Sequence, residues 1–410
     1  MILGWFFLLL GLAISIGLHE LGHLFPAKKF GVKVTKYMIG FGPTIFSRKR
    51  GETEYGVKAI PLGGYIQMIG MIPPANTDVK KSAWSRFSLT VRPADENDEA
   101  EDERAFYKLK PWQKLIVMFG GPFANLLIAL VLTLVLFCGF GSYERSTTVA
   151  EVVTCVPSDS NPNCDKIGSP DSPAKLAGLK AGDKIQSFAG VKLNRWGDIE
   201  AVLADSLNKT VSLTVLRDGE EITLTIKPTL VQLQNQSRAY LGLRLEEVRV
   251  RQTPIAALQG LGAMLYGTGE MIVQLPIQAV QAVTQIAPGA ERDTNGAISI
   301  VGLGQFSGEV TSSSSLSLED KLLSQLGMML SLNVALFVFN MIPLVPLDGG
   351  HIAGAIYESG KRRVWKLRGK TWTKPVDTGL MMPVAYFVAS LLLLLTVVLI
   401  LRDILNPIHF

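Results

Sequence analysis

Four stretches of this chain stay apolar for about the twenty residues that carry a helix across a bilayer. They run from Ile2 to about Phe25, from about Leu115 to Phe140, from about Leu322 to Leu344 and from about Met382 to Leu401. Backbone N–H and C=O groups cannot stay bare in lipid, so each run is expected to be a helix. The composition agrees: 48% of the 410 residues are hydrophobic and 18% are charged, against roughly 25% charged in soluble domains. The first run begins without a positive charge and is followed by no small-residue cleavage site, so it reads as a span rather than a leader. The net charge of +5 is carried in separate loops. That distribution argues against a nucleic-acid partner. Three cysteines are too few for a disulfide-dense scaffold.

Lys and Arg near span ends set orientation. Lys28 and Lys29 follow the first run, with "SRKR" at Ser47–Arg50, and "GKRRVWKLRGK" at Gly360–Lys370 follows the third. Both loops therefore read as cytoplasmic. The N-terminus, the long segment between spans two and three, and the C-terminus read as outside. Gly31 to Met71 alternates like a strand pair around "RGET", which predicts a hairpin. Its apolar strands predict a sheet that dips back toward the membrane. Asn76 to Arg104, with "ADENDEAEDER", reads as a solvated, mobile loop. The expected organisation is a membrane half over 1–147, a separate outer domain over 148–248, a linker over 249–321 and a second membrane half over 322–410. In the outer domain, "TVSLTVLRDGEEITLTIKP" predicts a hairpin turning at Arg217–Glu220. The linker is nearly uncharged and interrupted by Gly and Pro, which predicts interfacial helices rather than a fifth span.

The first span ends in "HELGH". On a helix, positions i and i+4 share a face, so His19 and His23 can reach one metal ion. Glu20 stands beside them, placed to act on a water rather than to ligate. This is the H-E-x-x-H zinc arrangement. Zinc brings the pKa of a coordinated water toward about 7, and Glu20 can take and return the proton. The bland alternative is a pair of water-facing histidines at a helix end. It is disfavoured because unpaired polar groups in an apolar run are costly. Catalytic zinc takes three protein ligands. Asp348 in "FNMIPLVPLDGGHI" is the chosen third, with His351 as competitor and no role for His409.

Taken together, "HELGH", "FGGPFANLLIA" and "NMIPLVPLDGGHI" resemble the site-2 proteases, membrane-embedded zinc metalloproteases. "SPAKLAGLKAGDKIQSFAGVKL", Ser172 to Leu193, resembles the PDZ domains of bacterial proteases. The resemblance covers nearly the whole chain. A single PDZ-like segment points to the actinobacterial type. It implies a polytopic α-helical membrane protein with about four transmembrane helices, a membrane-associated β-hairpin sheet and an inserted α+β PDZ domain. It further implies Zn2+ held by His19, His23 and Asp348, Glu20 as general base and acid, and Asn340 holding substrate backbone. Asn125 matches a family position, either packing near a helix start at Gly121–Pro122 or touching substrate. The hairpin resembles a re-entrant sheet that offers β-augmentation to an unwound substrate.

Cys155 and Cys164 bracket an inserted outer loop, where a disulfide is expected. Cys138 is expected to be an inert packing residue. "YLGL", Tyr240 to Leu243, would supply the carboxylate-binding loop if the strands are permuted as in bacterial protease PDZ domains; the groove then either binds a C-terminus or blocks bulky substrates, and a size filter is the reading chosen. The implied function is regulated intramembrane proteolysis in the bacterial cell membrane, with the active site near the cytoplasmic side. The implied substrates are single-span proteins already cut outside, such as anti-sigma factors and signal-peptide remnants. The alternative is a PDZ-bearing scaffold with a structural zinc, which would not need Glu20. A transporter is disfavoured by the lack of an inverted repeat.

Overall fold

The computed structural model describes residues 1–73, 83–90, 103–157, 169–193, 195–233, 236–285, 298–370, 372 and 375–406. Most of the acidic tract, Cys164 and His409 lie outside these residues. In chain order the elements are helix α1 (Ile2–Lys29), strands β1 (Val34–Arg50) and β2 (Thr53–Met68), and helices α2 (Ala83–Thr90) and α3 (Pro111–Thr133). Then come β3 (Ser142–Val152), α4 (Pro173–Leu176), β4 (Lys184–Phe188), β5 (Val191–Lys192) and α5 (Gly197–Asp205). Strands β6 (Val211–Arg217), β7 (Glu220–Ile226), β8 (Thr229–Leu233), β9 (Gln236–Tyr240) and β10 (Leu243–Val250) follow. The chain closes with α6 (Pro254–Thr284), α7 (Ile300–Ser312), α8 (Leu318–Asn340), α9 (Asp348–Leu367) and α10 (Met382–Leu405). Phe140–Gln252 forms one compact unit, and Met1–Gly139 with Thr253–Phe410 forms the other.

Among the described residues, four helices are long and apolar enough to cross a membrane: Ile2–Lys29, Pro111–Phe140, Leu318–Asn340 and Thr378–Leu405. They match the four apolar runs of the sequence, and the chain is a membrane protein. The second span differs from expectation in one respect. Gly121–Pro122 is not a helix start: α3 begins at Pro111, with the Gln113 side chain accepting the Lys110 backbone N–H at 3.0 Å, and runs through Pro122. Proline costs one ladder bond there, and packing against α1 offsets it. At that crossing, a Cβ on Gly22 would strike the Gly120 carbonyl, and one on Gly120 would strike the Gly22 carbonyl. Small residues on both helices let the two backbones approach this closely.

The hairpin forms as expected, with its turn at Gly51–Glu52. Its strands carry register shifts around Gly40 and Gly42, both at positive φ. It docks on α1 where the Tyr37 hydroxyl donates to the Gly17 carbonyl at 2.7 Å. Polar contacts tie the helices together. Ser307 Oγ donates to the Gly4 carbonyl at 2.8 Å, and Asn333 Nδ2 donates to Ser15 Oγ at 2.9 Å. Two segments are more ordered than the sequence suggests. Ala83–Thr90, inside the polar loop expected to be irregular, is helical, and its Trp84 Nε1 donates to the Leu380 carbonyl at 3.0 Å. The linker residues Pro254–Thr284 form one 31-residue helix that its glycines and Pro276 do not break. It packs on α8, α10 and α3.

In the smaller unit the main sheet runs β10-β3-β4-β6-β7, with β5 beside β4, and all pairings are antiparallel. Phe188, Ile185, Ile199, Leu213 and Val215 pack its core. The β6–β7 turn holds Asp218 and Gly219 at positive φ, as a two-residue hairpin turn requires. Cys155 is disulfide-bonded, and Cys138 in the larger unit is a free thiol. The Tyr240–Leu243 segment lies against α4, where the Ala174 N–H donates to the Leu241 carbonyl at 2.7 Å.

Buried Asp183 takes two 2.7 Å hydrogen bonds from Arg217, at Nε and Nη2, and one from the Lys180 N–H at 2.8 Å. Arg217 therefore holds the Asp183 carboxyl below its usual range, against the opposing effect of burial. A carboxyl lowered by folding stabilises above its unfolded pKa, and that contribution is lost as pH falls through the folded value. Asp183→Asn is therefore expected to lower the melting temperature of this unit by several degrees at neutral pH. Below about pH 4 the gap from the parent should shrink. Thermal scans of the full chain across acid pH read both effects.

Candidate metal centre

The centre is built where α1, α3 and the start of α9 meet. His19 and His23 are buried on one face of α1. Each ring is fixed through its Nδ1, which faces an oxygen on α3. His19 Nδ1 donates to Asn125 Oδ1 at 3.2 Å, and His23 Nδ1 donates to the Val117 carbonyl at 2.7 Å. With the proton on Nδ1, each Nε2 presents a lone pair. The two Nε2 atoms converge to 3.2 Å. Asp348, the first residue of α9, brings Oδ2 to 3.3 Å from His19 Nε2 and 3.4 Å from His23 Nε2. Among the described residues, Asp348 Oδ2 takes no hydrogen bond.

With each Nδ1 turned to an oxygen of α3, three electron-rich atoms converge on one point. A tetrahedral zinc with bonds of about 2.0–2.1 Å has donor–donor edges of roughly 3.3–3.4 Å. The observed triangle, 3.2, 3.3 and 3.4 Å on its edges, fits that donor set. Gly121 of α3 leaves the adjoining space open. A Cβ there would press on His23 Nε2 and come within 2.7 Å of His19 Nε2. The two glycines after Asp348 serve a similar end. A side chain on Gly349 would strike the Ile342 carbonyl, and one on Gly350 the Val345 nitrogen, so the loop closes tightly on the start of α9.

Glu20 is buried on α1 and accepts a hydrogen bond from the Ile66 backbone of β2. A Cβ on Gly64 would lie 3.2 Å from Glu20 Cγ, so the hairpin passes directly beside the centre. Asn340 ends α8, where its Nδ2 donates to its own Leu336 carbonyl at 2.9 Å; the structure does not bring it into the triangle. His351 also stays out, packing edge-on against Phe106 with ring centroids 6.5 Å apart. Its burial holds it below the usual histidine range. Lys114 of α3 pairs with Glu358 of α9 at 2.8 Å, both buried, which clamps the Asp348 helix to the helix that orients the histidines.

Sequence reasoning missed the Val117 carbonyl, the use of Asn125 to orient His19, and the space left by Gly121. The available signal was "GGPFAN" itself, two glycines and an asparagine inside an apolar run.

Residues 7–384 match the profile of Peptidase family M50. The chain is 31% identical to the zinc metalloprotease Rip1 of Mycobacterium tuberculosis (strain ATCC 25618 / H37Rv), over 98% of this chain and 96% of that protein. It is 30% identical to the Rip1 of Mycolicibacterium smegmatis over 97% and 96%. It is 28% identical to the metalloprotease MmpA of Caulobacter vibrioides over 87% and 86%. The chain belongs to peptidase family M50, the site-2 proteases, and is a zinc metalloprotease.

Proposed function

We propose that the chain is an intramembrane endopeptidase whose zinc is held by His19, His23 and Asp348. The observation that carries this reading is the convergence of His19, His23 and Asp348 in a triangle with zinc-sized edges. When bound, the ion supplies Lewis acidity toward a water and the scissile carbonyl. Glu20 takes the proton of the attacking water and returns it to the leaving amine. Asn125 and the Val117 carbonyl keep both imidazoles in the required tautomer. Asn340, at the end of α8, is assigned to the substrate backbone.

A transmembrane substrate must unwind before it can be cut, and its freed backbone groups need partners in a low-dielectric site. The β1–β2 hairpin is assigned that task. It stands as a two-stranded sheet against Glu20, and its side chains at Phe41, Ile45, Phe46 and Ile60 are exposed and apolar, as a membrane-facing sheet requires. Phe140–Gln252 is assigned as a PDZ domain outside the cytoplasm that admits only substrates already trimmed there. The active site then lies toward the cytoplasmic side, and the cleavage is the second cut of regulated intramembrane proteolysis. Single-span anti-sigma factors and signal-peptide remnants are substrates of the right kind.

The test is reconstituted cleavage of a single-span protein bearing either a short outer stub or a folded outer domain. The stub form should be cut within its apolar segment and the bulky form spared. Chelation should stop the reaction, and zinc should restore it. Cleavage only in a soluble segment would sink the intramembrane assignment, and equal cutting of both forms would sink the size filter.

A further inference from the structure

Helix α9 has a second face that the metal centre does not use. One face packs inward through His351, Ala355 and Glu358. At about 100° per residue, Ile356, Tyr357, Gly360, Val364 and Leu367 share an arc of about 100° on the opposite side. These apolar side chains are bare: Leu367 is 83% exposed, Tyr357 59%, Ile356 58% and Val364 46%. Basic residues border the stripe on both flanks, Lys361 and Arg368 along one edge, Arg363 and Lys366 along the other. No acidic residue occurs between Glu358 and Asp377, and Glu358 is already paired with Lys114 and Arg362. The helix is not among those apolar enough to cross a membrane.

The position of this stripe matters. Glu358 is pinned to Lys114, in the first turn of the second span. The half of α9 beyond Glu358 therefore starts at the level where that span leaves the apolar layer. An apolar stripe edged by cations at that level is the pattern of a helix lying in a bilayer interface. Its charge is complementary to anionic headgroups, which attract basic segments near the surface.

We propose that the Tyr357–Leu367 half of α9 docks on a bilayer surface carrying anionic phospholipid. The stripe enters the headgroup layer while Lys361, Arg363, Lys366 and Arg368 meet the phosphates. Because Asp348 begins the same helix, the docked half anchors one corner of the metal centre to the membrane.

A spin label at Leu367→Cys, in the full chain with the free thiol Cys138 replaced by Ser, tests this. Residue 367 is exposed, so the labelled protein should fold. The protein is reconstituted in phosphatidylcholine vesicles with and without phosphatidylglycerol, and the label's accessibility to oxygen and to a water-soluble nickel chelate is compared. The expected result is a bilayer-like label when phosphatidylglycerol is present. It should become water-like in phosphatidylcholine alone, at high salt, or when Lys361, Arg363, Lys366 and Arg368 are all replaced by Gln. Equal accessibility in the two lipid compositions would overturn the proposal. A water-like label in both would mean another occupant, such as an acidic protein segment, and a bilayer-like label in both would mean apolar anchoring without headgroup selection. A lipid dependence that survives the quadruple replacement would overturn it as well.

Discussion

A Glu20→Gln enzyme is expected to keep its zinc and lose its cleavage. Glutamine has the shape of glutamate and can still accept the Ile66 backbone hydrogen bond that holds residue 20 beside the hairpin. It cannot accept a proton. General acid–base assistance accounts for about 10²–10⁴-fold in rate, so turnover of a single-span substrate should fall by at least that range. Zinc content, measured by atomic emission on the purified protein, should match the parent, because none of the three converging donors is altered. Activity near the parent level would move the base elsewhere. Loss of zinc together with activity would make Glu20 part of the metal-holding set.

The second large effect comes from a residue with no side chain. Gly121→Ala adds one methyl group beside the two Nε2 atoms, in contact with His23 and 2.7 Å from His19. Overpacking a buried site costs about 1–3 kcal/mol, so the protein should still fold. The rings cannot yield without giving up their bonds to Asn125 and Val117. Disturbing the groups that orient ligands typically costs about 10–100-fold in metal affinity, and a methyl against the donors themselves should cost at least as much. Dialysed Gly121→Ala protein should therefore hold little zinc and show little cleavage. Gly139→Ala is the control, because a Cβ there meets nothing within 4 Å. Full zinc occupancy in the Gly121 variant would show that the ion does not use the space this glycine leaves open.

How much of this could be read in advance follows from where the information lies. The His19–His23 pair was legible because helix periodicity turns a four-residue spacing into a shared face. The spans and the hairpin were legible because their apolar patterns are long or sharply punctuated. The interior of α3 was not, because its two contributions are a backbone carbonyl and a missing side chain, and neither leaves a pattern. Pro122 suggested a helix start, yet packing on α1 carries the helix through. The glycines of Pro254–Thr284 suggested breaks, since each costs about 1 kcal/mol in a solvated helix. Contacts with α8 and α10 offset that local preference. Asn340 was assigned from the family resemblance; it ends α8, and its hydrogen bond goes to its own helix.

The donors that close the triangle stand more than three hundred residues apart in the chain, His19 near one end and Asp348 near the other. The helix that orients the histidines follows them closely, but the aspartate is made more than two hundred residues after that helix. During synthesis the first two spans can enter the bilayer and dock at the Gly22–Gly120 crossing with no complete set of donors. On the proposed zinc site, a chain that stops before Asp348 should be hydrolytically silent. Such a chain should cut neither its own spans nor those of its neighbours until the helix that carries Asp348 has been made.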